Sequence, residues 1–62
     1  MQRPDIRSTI KDEARNITYH IMAYRALSKD EMVIAVRTLL AQPKRPALVD
    51  GQTIVIETLY RA

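Results

Sequence analysis

The chain contains no cysteine, no tryptophan and no phenylalanine, and only one glycine and one histidine among its 62 residues. Each absence removes a class of function. Without cysteine there is no disulfide framework and no thiolate-held metal, and a reducing, cytoplasmic location is the expectation. His20 alone cannot supply the three or four ligands that hold zinc, so neither metal nor cofactor is expected. A single glycine, Gly51, cannot build a glycine-rich phosphate loop. The longest apolar run, Met32 to Val36, falls far short of the roughly 20 residues that cross a bilayer. Arg3, Asp5, Arg7, Lys11, Asp12 and Glu13 leave no apolar segment for a secretion signal, and the Asn16-Ile17-Thr18 glycosylation triplet is then a coincidence. The expectation is a soluble protein with no membrane partner.

Catalytic constellations are missing as well. Asp12-Glu13 and Asp30-Glu31 are sequence neighbours, and neighbours on a helix point about 100° apart instead of converging on a substrate. Ser8 and Ser28 read as helix caps, not nucleophiles. No enzyme is expected.

What is present reads first as helix. Pro4 suits a first helical position, and Ser8 or Thr9 offers a second start. Ile6, Ile10, Ala14, Ile17, Ile21 and Tyr24 follow at steps of four and three, one stripe at helical period, so a helix over about residues 5–26 is expected. Ser28-Lys29-Asp30-Glu31 is a capping box: Ser28 accepts from the Glu31 amide while the Glu31 carboxylate reaches back to the Ser28 amide, and Leu27 staples onto Met32. A helix-to-helix corner at residues 26–28 and a second helix over 29–42, stopped by Pro43, follow. Met32, Val36, Leu39 and Leu40 face inward with Val33 and Ala35 at the margins, and Ile34, Thr38 and Ala41 lie on another face.

The last part reads as a β-hairpin over about residues 45–60. Asp50-Gly51 is a favoured pair for a type I′ turn, which sets Val49 against Gln52 and Ala47 against Ile54. One face then carries Ala47, Val49, Ile54, Ile56 and Tyr60. The other carries Leu48, Val55 and Leu59 with Thr53 and Glu57. The fold class is therefore α+β, a two-helix hairpin followed by a β-hairpin in the order ααββ. A domain of this size buries only about 60% of its unfolded surface, and two short helices cover only one face of the hairpin. A homodimer, or a protein partner, is expected on the remainder through Ile34, Leu48, Val55 and Leu59.

Ten Lys and Arg against seven Asp and Glu give a net charge of +3 and a pI near 9.7. Arg3, Arg7, Lys11 and Arg15 recur every four residues, a basic row suited to a phosphate backbone. The plainer reading is a solvated face in which Asp12 partners Arg15. Lys44 and Arg45 form a second basic group before the hairpin, and Arg61 follows it.

Two helices joined by a corner and followed by a hairpin resemble a trimmed winged helix-turn-helix, with residues 17–42 as the helix pair and 45–60 as the wing. The resemblance is one of architecture, without a motif, over about two-thirds of the chain, and the usual additional helix is missing. It implies DNA as the partner, with the second helix in the major groove and the wing on the backbone. The residues assigned to DNA are Arg7, Lys11, Arg15, Lys44 and Arg45 for phosphate, with Arg37 and Thr38 behind them. Base-stacking RNA recognition fits less well, since the hairpin offers only Tyr60. The competing class is a small dimeric adaptor that binds protein through the hairpin edge and the Ile34 face. Salt separates the two: phosphate contacts weaken steeply as salt rises, and apolar docking changes little.

Overall fold

A computed structural model describes residues 3–59; Tyr60 and Arg61 lie outside them. The element order is β1 (Ile6–Asp12), β2 (Ile17–Ala23), α1 (Lys29–Leu40) and β3 (Thr53–Glu57). The three strands form one sheet in the order β1-β2-β3. β1 and β2 are antiparallel, with Ile6 opposite Ala23 and Asp12 opposite Ile17. β2 and β3 are parallel, from Thr18 opposite Thr53 to Met22 opposite Glu57.

This corrects the two-helix expectation. The segment read as a helix over about 5–26 is a strand hairpin, and the reason lies in the spacing of four. It is close to the helical period of 3.6 and is also an even number, so Ile6 and Ile10, or Ile17 and Ile21, share a face in either structure. Tyr19 and Ala23 settle the ambiguity. Both fall off the helical stripe, yet in a strand they complete the alternation Ile17, Tyr19, Ile21, Ala23, and all four are buried while Thr18, His20 and Met22 between them are half-buried. Burying side chains such as Ile17 and Ile21 stabilises by about 1.5–3 kcal/mol each, and the Tyr19 ring is buried between them. Thr9, Ile10, Ile17, Thr18 and Ile21 are also β-branched, which favours the pleated surface over the helix. The chain reverses through residues 13–16, where the Asn16 amide donates to the Glu13 carbonyl at 3.4 Å. Asn16 has a φ of 54°, a left-handed conformation in which Asn is several-fold enriched.

The corner at residues 26–28 joins a strand, not a helix, to α1. Its capping box is present as read: Glu31 N–H donates to Ser28 Oγ at 3.3 Å and Ser28 N–H donates to Glu31 Oε1 at 3.0 Å. Leu27 is buried in the core with Met32 packed against that core, and the Leu27 amide is held by Ser8 Oγ on β1 at 3.0 Å. Ser8 thus anchors the helix entry from across the sheet instead of capping a helix of its own. α1 ends at Leu40, where Ala41 N–H still donates to the Arg37 carbonyl, two residues short of the expected stop.

The expected hairpin over 45–60 is also corrected. Residues 45–49 form no strand. Pro46 has no amide to give to a ladder, and the Val49 amide is taken by the Gln52 side chain at 2.9 Å. The turn at Asp50-Gly51 is real, with Gln52 N–H donating to the Val49 carbonyl at 3.1 Å. Of the two central residues of this turn only Gly51 has positive φ, 78°, which matches a type II turn and excludes type I′. β3 therefore pairs with β2, and α1 supplies the crossover a parallel pair requires. With one helix and this topology, the winged helix-turn-helix resemblance falls away.

α1 covers one face of the sheet. Ile17, Tyr19, Ile21, Ala23, Leu27, Ala35 and Ile54 form the core, with Ile10, Met32, Val36, Leu39, Leu48 and Ile56 packed against it. The opposite face of the sheet has no covering layer among the described residues.

Candidate nucleic-acid interface

Strand alternation places the uncovered residues in rows. Ile10, Tyr19 and Ile54 are in register on the helix side, so their neighbours along each strand point the other way. Arg7, Met22 and Glu57 make one outward row; Thr9, His20 and Val55 the next; Lys11, Thr18 and Thr53 the third. In the middle row, Thr9 Oγ1 lies 3.0 Å from His20 Nδ1. Of the row Arg3, Arg7, Lys11 and Arg15 only Arg7 and Lys11 lie within β1; those two keep a common face in the change from helix to strand, because four residues is also two strand repeats. At about 3.3 Å per residue, Arg7 and Lys11 stand about 13 Å apart along β1.

The other assigned residues separate into two groups. Arg15 sits in the β1–β2 turn with Nε 4.0 Å from Asp12 Oδ2, the local pairing weighed as the plainer reading. Arg37, in the last turn of α1, joins Lys11 and Asp12 around a recess of about 210 Å³ whose walls are Ile10, Tyr19, Val33 and Val36. Arg7, Lys11, Arg15 and Arg37 thus belong to the β1 side of the molecule. Thr38, Lys44 and Arg45 do not join them. Thr38 Oγ1 donates back to the Ile34 carbonyl at 2.8 Å, and Arg45 donates to the Leu40 carbonyl at 3.4 Å, where a cation satisfies the helix C-terminus.

The residues assigned to a partner surface are also dispersed. Ile34 is 53% exposed on α1, whereas Val55 is 63% exposed on the uncovered sheet face and Leu59 is 82% exposed just beyond β3. Leu48 packs against the core. A trough of about 420 Å³ runs between α1 and β3, lined by Ala35, Thr38, Leu39, Gln42 and residues 55–58.

Elsewhere the electrostatics serve the fold. Arg25 clamps Glu31 with both guanidinium ends, Nη1 reaching Oε1 at 2.8 Å and Nη2 reaching Oε2. Those hydrogen bonds, and then the Ser28 amide, hold the Glu31 carboxyl down at about 2 against an ordinary 4.5. The Tyr19 hydroxyl is buried with no hydrogen-bond partner. Among the described residues no group of three or more His, Asp or Glu side chains is placed to hold a metal ion, and no helix is long and apolar enough to cross a membrane.

Thr9, Thr18, His20 and Thr53 were missed as surface residues of one site. The period-two alternation over residues 17–23 was the signal that could have found them. Comparison with known protein families, with curated proteins and with solved structures finds no match.

Proposed function

We propose that this chain is a small non-enzymatic DNA-binding protein that lays the uncovered face of its sheet on a duplex. The observation that carries the reading is the placement of Arg7 and Lys11 on that face, with the hydroxyls of Thr9, Thr18 and Thr53 beside them. About 13 Å between two cations on one strand matches about four base-pair rises of 3.4 Å along a phosphate backbone. Arg15, in the turn at the end of β1, adds to the field that the net charge of +3 supplies, whereas Arg37 belongs to α1 on the other face of the sheet. The contacts so supplied are to phosphate, which position a protein without specifying sequence.

The test is a fluorescence-anisotropy titration of a mixed-sequence duplex at several salt concentrations. The unchanged chain should bind at low salt and weaken steeply as salt rises. The double variant Arg7→Ala, Lys11→Ala should bind more weakly and lose about 2 from the salt slope, about one per phosphate contact. Binding that ignores both salt and the double variant would sink the proposal.

The adaptor reading now rests on a different feature from the hairpin edge, since that hairpin does not form. It has one specific observation in its favour, the exposed edge of β3.

A further inference from the structure

The two edges of the sheet are built differently. β1 is preceded by Pro4 and Asp5 and carries Arg7, Lys11 and Asp12, the charges and proline that normally keep strand edges from pairing. β3 reads Thr53-Ile54-Val55-Ile56-Glu57. It has no proline, no lysine and a single charge at its end, and its central Val55 is 63% exposed. An edge of this kind is a template for another strand.

The ladder to β2 says which groups are free. Thr18 N–H donates to the Gln52 carbonyl at 3.0 Å and Thr58 N–H donates to the Met22 carbonyl at 2.8 Å. In a parallel ladder alternate residues bond to the same neighbour, so Gln52, Ile54, Ile56 and Thr58 face β2. The amides and carbonyls of Thr53, Val55 and Glu57 point away from the sheet.

From this we infer that β3 pairs antiparallel with β3 of a second copy of this chain, about a two-fold axis at Val55. The strand is self-complementary in that register. Val55 meets Val55 of the second copy, Thr53 meets Glu57, and Ile54 meets Ile56. Every outward amide and carbonyl of Thr53, Val55 and Glu57 then finds a partner. No like charges oppose each other, and the Thr53 hydroxyl stands opposite a carboxylate that can accept from it. The same operation on β1, centred on Thr9, sets Arg7 against Lys11 of the second copy, cation against cation. The isologous contact is thus specific to β3.

The trough of about 420 Å³ between α1 and β3 runs along the edge that the second copy occupies. Because paired residues share a face, both helices lie on one side of the joined sheet and both Arg7–Lys11 rows on the other. The pairing does not depend on DNA being the ligand.

Sedimentation equilibrium over a range of concentrations tests it. The unchanged chain should approach twice its 7.1 kDa mass. Val55→Lys should give the monomer mass at concentrations where the unchanged chain is paired, because it sets like charges face to face; Val55→Glu should do the same. Mixing the two variants should restore the doubled mass. Amide hydrogen exchange supplies a second readout on the unaltered protein. Thr53, Val55 and Glu57 should be protected, with protection lost on dilution, while Ile54 and Ile56 stay protected at every concentration. A monomer at all concentrations, or a dimer in which those three outward amides exchange freely, would overturn the inference. So would a doubled mass that both folded variants retain.

Discussion

The Gly51 amide donates to the Asn16 carbonyl at 2.9 Å, and these are the two described residues whose φ is positive, 78° and 54°. The tip of the β1–β2 hairpin is therefore tied to the turn that launches β3. Thr18 N–H to the Gln52 carbonyl continues the contact as the first rung of the parallel ladder. Two residues 35 positions apart in the sequence thus set where β3 enters the sheet.

Gly51→Ala should lower stability by about 1–2 kcal/mol, the cost of a left-handed backbone for a residue with a Cβ, although space itself is open: the nearest atom to an added Cβ is Asn16 Nδ2 at 4.0 Å. Asn16→Gly should be close to neutral, since glycine adopts that conformation freely. Urea unfolding of both variants checks the pair, and a neutral Gly51→Ala would mean that the turn does not hold its conformation.

Tyr19→Phe should hold or raise stability. The Tyr19 hydroxyl is buried without a partner, and an unsatisfied buried polar group costs about 1–3 kcal/mol. Removing it keeps the ring that fills the core. A fall in the unfolding midpoint at unchanged slope would show that the hydroxyl finds a partner in solution.

Acid should weaken the entry of α1. The Glu31 carboxyl titrates near 2 in the folded chain against an ordinary 4.5, so its stabilising contribution is fully present above about 4.5. It is lost as the pH falls from there through about 2. Arg25→Ala should flatten that dependence, because the guanidinium is the largest cause of the shift. Ser28→Ala should cost about 1 kcal/mol at neutral pH through the lost cap. Thermal unfolding at pH 7, 4 and 2 distinguishes these outcomes.

Lys44→Ala with Arg45→Ala should change DNA affinity less than Arg7→Ala with Lys11→Ala. Arg45 is turned to the Leu40 carbonyl, and neither residue lies on the uncovered sheet face. Equal losses for the two pairs in parallel salt titrations would move the interface to the end of α1.

Some of this architecture is local and could be read directly. The Ser28–Glu31 box, the helix that follows it to the neighbourhood of Pro43, and the turn at Gly51 each depend on groups within about four residues of one another, so a linear sequence contains the whole interaction. The spacing of the β1 cations is equally local, and it puts Arg7 and Lys11 on one face in strand or helix. Local spacing could not choose between those two for residues 6–23, because apolar residues four apart satisfy both periods. That choice was made by Tyr19 and Ala23, whose burial depends on α1 folding back over the sheet. The partner of β3 was decided at still longer range. Val49 and Ala47 lie nearest in sequence, but Pro46 lacks the amide for a ladder, and β2 offers a complete edge that α1 carries the chain back to meet. The helix, its cap and the charge spacing thus come from neighbouring residues, whereas strand pairing and the uncovered face come from contacts between residues that local signals never bring together.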